Sequence, residues 1–175
     1  MKNIGKIIGA SIVGILFLSG MGGVSACQLD TELIAGQNWD EPVGNVNVNH
    51  PGSTSRYMYI TYTTTGGWEL TETHLAVAES FDDIPQNKKG NPKIGHFPYS
   101  DPHGPVSTYT YTIDLDDFPS LFDPDTGKYL GTLFVAAHAV VEHPDYGEET
   151  AWADTYGQPF NEGNGWALWF SIELD

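Results

Sequence analysis

Five aspartates between positions 114 and 125 form the densest group of cation ligands in the chain. Asp114, Asp116 and Asp117 precede a turn, and Asp123-Pro-Asp125-Thr-Gly127 follows it. Calcium takes about six to eight oxygen ligands, often from alternating aspartates around a glycine turn. The DPDTG run opens like such a loop, but its fifth position is Gly127 and its sixth is Lys128, so the third acid and the glycine of an EF-hand are missing. Calcium is the one cofactor these residues point to. The competing reading is a solvated turn in which aspartates bond their own backbone.

A second group is imidazole and carboxylate. His74 in WELTETHLAVA and His138 in LFVAAHAVV both stand beside alanines in extended patterns. With a period of two, Glu72 shares a face with His74 and Glu142 with His138. Two imidazoles flanked by acids suit zinc or copper; half-buried histidines bonded across strands are the alternative. Trp39, Trp68 and Trp152 lie near turns and offer stacking faces for sugar rings, although core packing is the commoner fate of a tryptophan. A retaining glycosidase needs two carboxylates about 5 Å apart, and Glu69, Glu72 and Glu149 are the available members. No Gly-x-Ser-x-Gly elbow and no phosphate loop occurs.

Strands must position these groups. Val43 to His50 alternates, with Val46, Val48 and His50 against Asn45, Asn47 and Asn49. Residues 56–64 are a Tyr/Thr ribbon. Thr65-Gly66-Gly67 then supplies a tight turn into 68–78, so 56–78 reads as a β-hairpin. Residues 81–105, rich in proline and glycine, read as a long loop. Val106 to Leu115 alternates again, and 129–143 is apolar on both faces in its middle, which marks a central buried strand. A short strand at 150–155 and a last one at 165–174 complete seven. The expectation is an all-β fold, an antiparallel β-sandwich of about seven strands, immunoglobulin-like or jelly-roll-like.

Charge divides the chain. The 175 residues carry 7 basic and 23 acidic side chains, a net of −16. Lys2 and Lys6 are the only charges in residues 1–26, so the following 149 residues hold 23 acids against 5 bases, a net of −18. Arg56 is the sole arginine, which excludes nucleic acid as a partner. A basic start, an apolar run from Ile7 to Leu18 and a small-residue stretch ending at Ala26 form an export signal. The run is too short for an ordinary membrane-spanning helix. The expected organisation is a signal peptide at 1–26, a tether and lead-in at 27–42, and a β-sandwich domain at 43–175.

The single cysteine, Cys27, rules out an intrachain disulfide. Val24-Ser25-Ala26-Cys27 resembles the lipobox of prokaryotic lipoproteins, with Val24 where leucine is usual. The resemblance implies a cut before Cys27 and lipid on its thiol, hence attachment to a membrane outside the cytoplasm. An ordinary signal cut would break the same bond and leave Cys27 a free thiol. The runs at 74–99, 133–143 and 149–154 resemble a module of bacterial and archaeal surface proteins, which implies a surface-displayed β domain and transfers no catalytic residue. The function expected is a surface binding, adhesion or structural module whose partner is a cell-surface glycan or protein. A secreted carbohydrate-active enzyme is the alternative.

Overall fold

Side-chain alternation accounts for most strands of the fold. The computed structural model describes residues 26–36, 42–154, 158–161 and 166–175; the expected export signal, up to residue 25, and Trp39 lie outside them. The strands are β1 (Cys27–Ala35), β2 (Gly44–His50), β3 (Tyr57–Thr64), β4 (Glu69–Ala78), β5 (Tyr99–Val106), β6 (Thr108–Asp114), β7 (Phe122–Asp123), β8 (Lys128–Tyr129), β9 (Gly131–His143), β10 (Gly147–Ala153), β11 (Gln158–Pro159) and β12 (Leu168–Leu174). Ten of them form one antiparallel sheet in the order β5-β4-β9-β10-β1-β2-β3-β6. β12 pairs with the first part of β9, beside β10, and carries β11. β7 and β8 make a separate small hairpin.

The chain is therefore all-β and antiparallel, as expected, but its strands join into a single, nearly closed, barrel-like sheet and outnumber the seven read from the sequence. The two end strands, β5 and β6, are consecutive and separated only by Ser107, whose carbonyl accepts the Thr64 N–H at 2.9 Å.

The interior is filled by one face of every long strand. Leu33, Val46, Val48, Met58, Ile60, Leu70, Leu75, Ile113, Leu133 and Val135 are all fully buried in it. Buried hydroxyls tie opposite parts of the sheet across this core. Tyr62 of β3 donates to the His74 carbonyl of β4 at 3.0 Å, and Tyr111 of β6 to the Thr73 carbonyl at 3.1 Å.

Three expectations need correction. Residues 56–78 do not form a hairpin: β3 pairs with β2 and β6, whereas β4 pairs with β5 and β9. The turn at Thr65–Trp68, closed by a 3.1 Å bond from Trp68 N–H to the Thr65 carbonyl, sends the chain across the core. Ile60 and Tyr62 can then face Leu70 and Leu75 instead of lying beside them.

Residues 27–42 are not simply a tether, since Cys27 to Ala35 is a full strand with Thr31, Leu33 and Ala35 buried. Nor is 81–105 all loop. Its last part is β5, an edge strand whose Pro102 and Pro105 lack the N–H that a central strand must donate.

The rest of that segment has a structural task. Phe81, Ile84, Ile94 and Phe97 pack over the outer face of the sheet, against Ala76 and Ala78 of β4 and Ala136 of β9. The alanines leave room for this second, smaller core.

Two substitutions test the packing by urea denaturation. Leu133→Ala is expected to cost about 2–5 kcal/mol, because a buried leucine leaves a cavity. Tyr62→Phe is expected to cost about 1 kcal/mol for one buried hydrogen bond. Equal, negligible losses would mean that this interior does not hold the fold.

Candidate functional site

Strand register assembles one row of side chains on the outer face of the sheet. Ser100 of β5 stands opposite His74 of β4, His74 opposite His138 of β9, His138 opposite Trp152 of β10, and Trp152 opposite Ile34 of β1. The two histidines read from the sequence do meet, with ring centroids 5.4 Å apart.

His74 is held from both sides. Its Nε2 lies 3.1 Å from Glu72 Oε1 and its Nδ1 3.1 Å from Ser100 Oγ. A carboxylate only accepts, so Nε2 carries the proton and Nδ1 accepts from the serine hydroxyl. Burial lowers the His74 pKa, and the neighbouring Glu72 carboxylate opposes that shift without reversing it.

His138 is 4 % exposed, and its Nδ1 has no hydrogen-bond partner. Burial, with a smaller contribution from His74, pulls its pKa down from 6.5 to about 3. Both rings are thus neutral near pH 7. Glu142, on the same face, pairs in register with Glu69 and Glu148 at the far end of β9. Among the described residues, no three His, Cys, Asp or Glu converge as a metal site.

The row ends in a cleft. A cavity of about 410 Å³ is lined by Ile34, Gly36, Trp152, Asp154, Trp166 and Leu168. Its size falls in the range of about 300–1,000 Å³ usual for small-ligand sites. Trp152 is the floor: only 2 % exposed, its ring stands 4.8 Å from His138, 6.0 Å from Phe160 and 6.4 Å from Phe97. Such clamping fixes its orientation. Trp166, half-buried, supplies a second indole.

Asp154 is the cleft's acid. Burial raises its carboxyl pKa and the Glu32 carboxylate raises it further. The Asp154 N–H donates to the Glu32 carbonyl at 2.9 Å, which ties the end of β10 to β1. The Trp166 indole beside one acid suits a ligand with an apolar face and hydroxyl groups, such as a sugar ring.

The other sequence candidates lie elsewhere. Trp68, 7 % exposed, packs beside the far end of β9, with ring centroids 5.2 Å from His143 and 6.0 Å from Tyr146. A smaller cavity of about 250 Å³ adjoins this trio and includes Glu69, Glu142 and Glu148. Glu149 is half-buried on β10, opposite Val141, so the three glutamates suggested by the sequence share no cleft.

Asp114 and Asp116 hold the Arg56 guanidinium, through Nε at 2.7 Å and Nη1 at 2.7 Å respectively. That pairing lowers the Asp114 pKa and raises that of Arg56. Asp123 accepts from the Asp125 N–H at 2.9 Å and from the Thr126 hydroxyl at 2.6 Å, the self-bonded turn weighed against calcium. Asp117 and Asp125 are exposed.

Sequence reasoning missed Ile34, Gly36, Asp154 and Leu168 as cleft residues and placed Trp166 in the core. Asp154 carried a signal, an acid directly after the apolar Ala151-Trp152-Ala153 end of a strand, all three residues buried, whereas Ile34 was hidden because β1 was read as a tether. No protein-family model, curated protein or solved structure matches the chain.

Protonation of His138 gives a test. The unfolded chain takes up this proton near 6.5 and the folded chain only near about 3, so between these values the unfolded state binds more protons. Stability attributable to this ring is complete above 6.5 and falls by up to about 1.4 kcal/mol per pH unit as pH drops toward 3. His138→Gln is expected to flatten that part of the pH–stability curve, read by urea titration from pH 7 to 4. Parallel curves for the two proteins would show that the ring does not titrate this way.

Proposed function

We propose that the chain is an exported surface module, attached to a membrane by lipid on Cys27, that binds a cell-surface glycan or protein through the Trp152–Trp166 cleft in adhesion or as a structural element. The observation that supports this reading is that Cys27 opens β1 and Ile34 of the same strand lines the cleft. Seven residues of extended chain separate them, a rise of about 23 Å. Lipid on Cys27 would therefore bring the domain to the membrane with no spacer while the cleft stands clear of it. Burial, then Asp175 and Glu173, raise the Cys27 thiol pKa, so a free thiol in the folded domain would be a weak nucleophile. The finer architecture in this reading is an immunoglobulin-like or jelly-roll-like sandwich, supported by the buried Tyr62 and Tyr111 hydroxyls that bridge opposing strands.

Asp154 favours a second reading, a secreted carbohydrate-active enzyme. A carboxyl with a raised pKa in a cleft, beside Glu32, has the character of a general acid.

Two experiments test these readings. The intact mass of the exported protein, extracted with detergent, is expected to carry lipid on Cys27, and Cys27→Ser to abolish both lipid and membrane retention; a soluble wild-type protein with a free thiol would overturn the anchor. On a glycan array, Trp166→Ala is expected to lose at least tenfold in affinity and Asp154→Asn to keep binding. Hydrolysis of a bound glycan that disappears in Asp154→Asn would instead establish the enzyme.

A further inference from the structure

β2, β3 and β6 turn a second set of side chains outward, away from the interior and on the opposite side of the molecule's core from the loop-covered face. Asn45, Asn47 and Asn49 are the outward residues of β2. Asparagine is depleted from strands, where a branched or aromatic residue packs better. Three on one face of one strand therefore run against local preference. An ordinary solvent-facing strand gains solubility from mixed lysine and glutamate, yet no lysine lies in β1, β2, β3 or β6.

The register arranges these residues in rows. Asn49, Tyr59 and Thr112 stand side by side across the three strands, and Asn47, Thr61 and Thr110 form the next row. Neighbouring members of a row lie about 4.8 Å apart and the rows about 7 Å apart. Tyr59 is 37 % exposed and Tyr57, one position along the same face, 43 %, two of the four large hydrophobic side chains that face solvent among the described residues. The polar groups are pre-set: Asn47 Nδ2 donates to Asp30 of β1 at 2.9 Å, and the Thr61 and Thr110 hydroxyls bond each other at 2.9 Å.

We infer that this face is a binding site for a neutral polysaccharide. Exposed phenol rings stack on the apolar faces of sugar rings, and amides and hydroxyls at strand spacing bond the hydroxyls that project from their edges. Charge selects against anionic chains. The acids bordering the rows are Asp30, Glu32 and Asp114, and the nearest base, Arg56, is held by Asp114 and Asp116 and stands 5.5 Å from the Tyr57 ring centroid, which leaves Tyr59 as the open stacking face. An extended chain fits better than a single sugar, because the rows cross three neighbouring strands and repeat along them. This site is separate from the cleft and does not depend on it.

Affinity electrophoresis of the exported protein tests the inference, with gels containing hydroxyethyl cellulose, xylan or galactomannan as neutral probes and polygalacturonate or alginate as anionic ones. Retardation is expected in at least one neutral gel and in neither anionic gel. Tyr59→Ala and the double variant Asn47→Ala/Asn49→Ala are expected to weaken it at least tenfold, with melting temperatures close to wild type because these side chains face solvent. Lys88→Ala, exposed in the covering segment and outside both the cleft and this face, is expected to leave it unchanged. Retardation by none of the neutral polymers, retardation by the anionic ones alone, or neutral binding untouched by the face variants would each overturn the inference. Loss in Trp166→Ala with the face variants intact would place glycan binding in the cleft and remove it from this face.

Discussion

The structure depends on the two-sided burial of β9. This strand pairs with β4 along one edge and with β12 and then β10 along the other, so three neighbours take their register from it. Its inward residues, Leu133, Val135, Ala137, Ala139 and Val141, are all buried in the interior. Its outward residues, Phe134, Ala136 and His138, lie under the segment of residues 81–97 or under Trp152. With no disulfide possible within the chain, this apolar contact on both faces is what fixes the layers relative to one another. The alanines are as important as the large residues, since they let a covering loop and a tyrosine-lined interior approach the same strand.

This constraint also explains the histidine row. A strand covered on both faces has no solvent-facing position in its middle, so any polar side chain there must be held neutral or bonded. His74 is bonded by Glu72 and Ser100, whereas His138 is neutral and packed between His74 and Trp152. The row thereby braces Trp152, and through it the floor of the cleft. The same ring that looked like a metal ligand in the sequence serves the cleft by position.

Alternation made most strands legible. β2, β6 and β9 lie close to where the pattern put them because one buried face forces a period of two, and β9's continuous apolar run forces burial on both sides. Partner choice was not legible. The Thr65-Gly66-Gly67 turn is compatible with a hairpin, and only the interior needs of Tyr62 and Leu70 decide that β3 and β4 part. β1 was obscured by its place next to the expected cut, although Leu29, Thr31, Leu33 and Ala35 alternate plainly. The cleft was half legible: Trp152 could be named from its type and position, and Asp154 follows it by two residues, but Ile34 reaches it only through the pairing of β1 with β10, a contact across more than a hundred residues. The aspartates show the opposite limit. Their spacing suits a cation, and the fold also gives them partners that spacing does not show, Arg56 for two and the local backbone for a third.

The three regions then read as consequences of one geometry. β1 runs from Cys27 at one end to Ile34 near the cleft, and its outward residues Asp30 and Glu32 border the Asn/Thr/Tyr rows. A single strand therefore touches the proposed attachment point, the cleft and the edge of the open face. Lipid at Cys27 would place the axis of β1 away from the membrane, leaving the open face alongside that axis and the cleft on its flank, both reachable by chains at a cell surface. The acidic excess would favour the same arrangement, because a domain of net −18 is repelled by anionic headgroups and would stand off from a surface that lipid on Cys27 entered.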